Sequence, residues 1–63
     1  MLSSRDVIKR LKADGWVHVG TTGDHHHFKH PRKPGKVTVP HPRKDMTIRT
    51  LRSIEKQAGL HLR

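Results

Sequence analysis

Three consecutive histidines, His25-His26-His27, stand in a chain that holds seven histidines, fourteen lysines and arginines, and five acidic side chains. Imidazole exchanges protons near neutral pH, and lysine or arginine stabilises a developing oxyanion. RNA brings its own nucleophile, the 2′-hydroxyl. Its cleavage needs a base for that proton, an acid for the departing 5′-oxygen, and positive charge around the phosphorus. Histidine beside lysine on a basic protein meets those needs, and no metal or other cofactor enters that scheme.

The formal charge of +9 on 63 residues points to a polyanionic partner. Nucleic acid fits, because phosphate neutralisation dominates such affinities. A membrane surface fits less well, since no stretch carries a wide apolar helical face, and no apolar run approaches a membrane span. The opening residues lack the apolar core of a signal peptide. There is no cysteine, so disulfide, thiolate and cysteine-zinc chemistry are excluded, and a reducing cytoplasm is the expected location. The length allows one domain, residues 1–63, with one small core.

The elements that must position these groups are legible from pattern. Ser3 and Ser4 can cap a helix carrying Val7, Ile8 and Leu11, with Ser3 and Asp6 spaced as a capping box; Gly15 ends it. Trp16-Val17-His18-Val19 alternates as a strand, and Thr21-Thr22-Gly23-Asp24 reads as a turn. Residues 25–30 form a second strand with Phe28 as its core residue. After the loop Pro31-Arg32-Lys33-Pro34-Gly35, Lys36-Val37-Thr38-Val39 forms a third. Following a basic link, Asp45 or Thr47 can cap a second helix with Ile48, Leu51, Ile54 and Ala58 as its apolar stripe. The fold class is α+β: an α-β-β-β-α order, with a three-stranded antiparallel sheet covered on one face by both helices. That is the architecture of the double-stranded-RNA-binding fold.

Side chains alternate along a strand. With Phe28, Val37 and Val39 facing the helices, His26 and His30 face inward beside Phe28. His25, His27, Lys29, Lys36 and Thr38 face outward. With Val17 and Val19 inward, Trp16 and His18 join the open face. The loop residues Arg32 and Lys33 and the link residues Arg43 and Lys44 flank the sheet, where they can contact phosphate. A metal site built from His25 and His27 with His18 or His41 is the competing reading, but the spacing matches no known metal motif.

In order along nearly the whole chain, the segments resemble those of the HicA-type toxins, small messenger-RNA interferases of toxin–antitoxin pairs. The resemblance runs from Ser4-Arg5-Asp6-Val7-Ile8 and Asp14-Gly15-Trp16 through Gly23-Asp24-His25-His26-His27-Phe28-Lys29-His30-Pro31. It continues through Val37-Thr38-Val39-Pro40-His41 and Lys44-Asp45 to Thr50-Leu51-Arg52-Ser53-Ile54 and Lys56-Gln57-Ala58-Gly59-Leu60. It implies metal-independent cleavage of messenger RNA, inhibition by a HicB-type antitoxin, and an essential histidine that maps onto His25. His27 as a second proton-transfer group, and Lys29 and Lys36 as phosphate ligands, come from the alternation alone. Two departures stand out. Asp24 replaces a residue that is more often serine; its carboxylate can orient His25 or repel phosphate. Ile48-Arg49 occupies a stretch that often holds proline and glycine. The alternative reading is a non-catalytic RNA-binding module on the same fold.

Overall fold

The computed structural model describes residues 2–62. Helix α1 spans Ser4–Ala13, and its start is the expected capping box. The Ser3 hydroxyl accepts from the Asp6 N–H at 3.2 Å, and the Asp6 carboxylate accepts from the Ser3 N–H at 3.1 Å. Strands β1 (Val17–Thr22), β2 (His25–Lys29) and β3 (Lys36–Pro40) form one antiparallel sheet in sequence order. Helix α2 spans Ile48–Ala58, with Thr47 as N-cap and Gly59 as C-cap.

The core lies between one face of the sheet and the two helices. Val7 and Leu11 come from α1, Phe28, Val37 and Val39 from the sheet, and Leu51, Ile54 and Ala58 from α2. Trp16, Met46 and Leu62 close its margins. Ile48, expected in the stripe of α2, is exposed instead. It is the first residue of the helix, and Met46, two residues earlier and outside the helix, is buried in its place.

The first strand departs from expectation. Trp16 is buried, whereas Val17 and Val19 are 57% and 55% exposed. The pairing register explains this. Val17 lies opposite Lys29 and His18 opposite Phe28, so His18 is on the helix side. A bulge between His18 and Gly20 then re-phases the strand, so that Gly20 pairs with His27. One indole outweighs two valines, since it brings more apolar surface to the core. It also satisfies its N–H on the Asp14 carboxylate at 3.2 Å and sets its ring edge against His30, 5.2 Å between centroids. The strand runs on through Thr22, leaving Gly23 and Asp24 as the loop. Gly23, at φ 59°, stands where a two-residue hairpin needs a positive φ.

The far end of the molecule is clasped by the loop between β2 and β3. His30 Nε2 lies 2.7 Å from the Asp14 carbonyl, and its Nδ1 accepts from the backbone N–H groups of Arg32 and Lys33. With those partners Nδ1 accepts and Nε2 donates. The Lys33 ammonium reaches the Asp14 carboxylate at 2.6 Å and the Ala58 carbonyl at 3.1 Å, tying the ends of both helices together. The chain at Gly15 makes this packing possible. At φ 103° it adopts a conformation that side chains resist, and a Cβ there would lie 2.8 Å from His30 Nε2.

Gly15→Ala is expected to cost about 1–3 kcal/mol of stability through backbone strain and loss of the His30 contact. Gly20→Ala, at an unstrained position with open space around it, should be near neutral. Urea unfolding of the two variants checks this, and equal midpoints would refute the clasp.

Candidate functional site

The register places the outward side chains in rows. Across β2 and β3, His25 faces Pro40, His27 faces Thr38 and Lys29 faces Lys36. Across β1 and β2, Thr22 faces His25, Gly20 faces His27 and Val17 faces Lys29. His25, His27, Lys29, Lys36 and Thr38 therefore share the face away from the helices, as the alternation requires. His18 does not: its ring packs against Phe28 and His26 on the other side.

Each residue of this face has a distinct setting. Lys29 and Lys36 are direct cross-strand partners. Like charges so placed destabilise a sheet, and an anion between them reverses the sign. The His27 ring is held at both nitrogens, Nδ1 by the Thr38 hydroxyl at 3.1 Å and Nε2 by the Thr22 hydroxyl at 3.3 Å. The His25 side chain is 57% exposed, and its nearby charge is Asp24, with Nε2 and Oδ1 3.8 Å apart. That distance is beyond a hydrogen bond, so the contact is Coulombic.

Asp24 is itself fixed. Its Oδ2 accepts from the Arg43 guanidinium at 2.9 Å, and its backbone carbonyl accepts from the His41 N–H at 2.7 Å. The Arg43 guanidinium holds the Asp24 carboxyl below the usual carboxylate range, so it is ionised at neutral pH. The link after β3 is thereby fastened to the corner where His25 stands. Sequence reasoning singled out Asp24 and Arg43 separately and missed the pair, for nothing in local spacing joins residues 19 positions apart.

The remaining expected phosphate ligands are dispersed. Lys44 is exposed beside Arg43, at the His25 end. Arg32 is exposed in the loop at the Lys29 end. Lys33 is drawn into the clasp with Asp14 and Ala58, away from the open face.

On the helix side lies a second histidine group. Ring centroids of His18 and His26 are 5.2 Å apart, and those of His26 and His41 are 5.0 Å apart. His41 Nδ1 lies 2.6 Å from the hydroxyl of the buried Ser4. Ser4 also exchanges bonds with the Arg43 backbone. Burial, then the neighbouring His41 and His18, lower the His26 pKa. Among the described residues, no three histidine, aspartate or glutamate side chains converge to hold a metal ion. His18 and His41, considered as third ligands to His25 and His27, lie with His26 instead.

A one-faced sheet with histidines and lysines on its bare side, on a small basic α-β-β-β-α scaffold, defines a protein of double-stranded-RNA-binding-like fold. Residues 4–60 match the family described as the HicA toxin of bacterial toxin-antitoxin systems; the chain belongs to that family. Two solved structures are similar over their full matched chains. One, a HicA3 and HicB3 toxin-antitoxin complex, has 35% identity, covers 98% of this chain and 100% of its own, and superposes with a TM-score of 0.82. The other, a toxin-antitoxin complex from Streptococcus pneumoniae, has 30% identity, covers 95% and 100%, and gives 0.79. No curated protein matches the chain. Among the described residues no helix is long and apolar enough to cross a membrane.

The His26 setting has a pH consequence. A histidine whose folded pKa is lowered binds its proton more readily when unfolded, so stability is lost as pH falls through the ordinary imidazole value of about 6.5. His18, His41, His27 and Asp24 are the groups that act on it, and Asp24 alone opposes the shift. Thermal unfolding between pH 7.5 and 5.5 should show this loss in the parent chain and a shallower one in His26→Gln; parallel curves would refute it.

Proposed function

We propose that the chain is a toxin that cleaves messenger RNA in the cytoplasm, as a metal-independent endoribonuclease, and that a HicB-type antitoxin holds it inactive. The observation that carries this reading is the placement of His25. It stands exposed at the corner of an uncovered sheet face, with imidazole and ammonium groups along the same strand.

In the proposed reaction the substrate's 2′-oxygen attacks phosphorus and the bond to the 5′-oxygen breaks. One proton leaves the 2′-hydroxyl and one reaches the departing 5′-oxygen. His25 carries one of these transfers, and His27 is the candidate for the other. The lysines have a separable role. His25 and Lys29 are four strand residues apart, roughly 13 Å along the chain. The Lys29–Lys36 pair is therefore suited to a neighbouring phosphate, holding the strand of RNA while the scissile phosphate sits at His25. Lys44 and Arg32 extend the positive surface beyond the two ends.

The proposed antitoxin partner follows from charge as well as from kinship. The similar solved structures are toxin–antitoxin complexes. A surface carrying a net +9 favours a partner with complementary acidic groups. Covering the bare face would block substrate and stabilise a small fold by mass action.

Induced expression of the wild-type chain is expected to arrest growth and deplete messenger RNA on a gel. His25→Ala should leave the protein folded and lower the cleavage rate by at least about a hundredfold, the scale of a lost acid–base group. Cleavage by the purified wild type should persist in EDTA. Arrest by both chains, with RNA binding intact and no cleavage, would install the non-catalytic RNA-binding module in place of the enzyme.

A further inference from the structure

The uncovered face ends at the corner where Asp24 pairs with Arg43. Beyond that pair lies a cavity of about 460 Å³ between the start of α1 and the link that follows β3. Its wall toward the sheet is His41, whose ring is set by the Ser4 hydroxyl at 2.6 Å and by a T-shaped contact with His26 at 5.0 Å between centroids. Pro42 adds a rigid apolar surface beside it. Arg5 from α1 and Arg43 and Lys44 from the link also line the cavity, and all three are exposed.

The lining is mostly carbon beneath a cationic rim. A lone phosphate would use the rim and leave the floor empty. An acidic peptide segment would do the same with its carboxylates. A nucleotide uses both, with its base against the imidazole and proline and its phosphate among the cations. The size is right for such a ligand. The positive end of α1 is mostly engaged within the fold. The Ser4 N–H is taken by the Arg43 carbonyl at 2.9 Å, and the Asp6 N–H by the Ser3 hydroxyl at 3.2 Å. A larger hollow of about 610 Å³, lined by Arg52, Lys56 and Leu60, is built from α2 and the residues after it and includes the carboxylate Glu55. It does not adjoin the corner that carries His25.

We infer that the cavity between the start of α1 and the β3–α2 link binds one unpaired nucleotide of single-stranded RNA, next to the nucleotide whose phosphate lies at His25. The inference rests on the ribonuclease reading for what occupies His25. It makes His41 and Pro42 the stacking platform and Arg5 and Lys44 the phosphate ligands. Arg43 is the post between the two subsites, since it lines the cavity and its guanidinium holds Asp24 beside His25. The chain thereby holds a base outside its cleavage centre.

The test uses the His25→Ala chain, with folding checked by circular dichroism, and fluorescently labelled six-nucleotide RNAs. Each RNA lacks one base in turn, at each position along the strand. Loss of the base at one position should weaken binding about tenfold or more, the scale of a lost stacked base, while other positions change little. Pro42→Ala should blunt that position dependence, whereas Arg5→Ala with Lys44→Ala should weaken binding of every RNA and lower the salt slope by about one to two. The same double variant in the wild-type background should raise KM with kcat held within about threefold. Uniform binding of all the base-deleted RNAs overturns the inference. So does a double variant that leaves RNA binding intact while losing affinity for the antitoxin, which would assign the cavity to a protein partner. Position-dependent binding by a wild-type chain that cuts no RNA would sink the ribonuclease reading and leave the cavity as a nucleotide site.

Discussion

Phe28 is the single large apolar side chain that β2 gives to the core, and the two-residue period of a strand makes it decide both faces. With Phe28 under the helices, opposite Val37 on one side and His18 on the other, His25, His27 and Lys29 must point away. A slip of one residue would turn a lysine and two imidazoles inward and expose the phenyl ring. So large a penalty locks the register. The core and the candidate site are two readings of one alternation, and the site inherits the core's rigidity although it lies on the bare side.

Charge is the second constraint, and it is resolved by spending the scarce acids on structure. Of the five acidic side chains, Asp6 caps α1, Asp14 holds Lys33, Asp24 holds Arg43, and Glu55 accepts from the Leu62 N–H at 2.8 Å. The hydrogen bonds of Ser3, Lys33 and Arg43 keep Asp6, Asp14 and Asp24 below the usual carboxylate range, so these ties are intact at neutral pH. What remains is a surplus of cations with little to offset it. Self-repulsion of that kind weakens a fold this small. A polyanion or acidic partner removes the repulsion and adds its own contacts, so binding and stability rise together.

How much was legible in the sequence follows from the range of each interaction. The capping box of Ser3 and Asp6 and the cap at Thr47 are local: the first stands where the sequence predicts it, and the second is one of the two residues, Asp45 or Thr47, that the sequence offers. Strands β2 and β3 were readable because each puts its apolar residues on one side only. β1 was not. Two valines suggest one phase and Trp16 the other, and the choice turns on tertiary gains: burial of an indole, its bond to Asp14, and a bulge that re-phases the strand. Ile48 misled for a similar reason, because Met46 fills the margin from outside the helix. The Asp24–Arg43 and Ser4–His41 ties, and the capture of Lys33 by two helix ends, join residues far apart in sequence. Residue type alone does not say which cation finds which carboxylate.

The three consecutive histidines show how one residue type is divided by environment. His26 faces inward into a group of three imidazoles, with a pKa lowered by burial. It is suited to staying neutral and packed. His27 faces outward, but both its nitrogens are engaged by threonine hydroxyls. To meet a substrate it must surrender one of those bonds, although the other then keeps the ring oriented. His25 carries no such bond. Its neighbour, 3.8 Å away, is a carboxylate that Arg43 fixes, close enough to act through its field and too far to hold the ring. A proton-transfer group needs a nitrogen within reach of the reacting atom and a ring free to align with it. On that requirement the proposed reaction assigns proton transfer to His25 and names His27, whose ring is the better oriented, as the candidate for the other transfer, while His26 shapes the sheet that carries them.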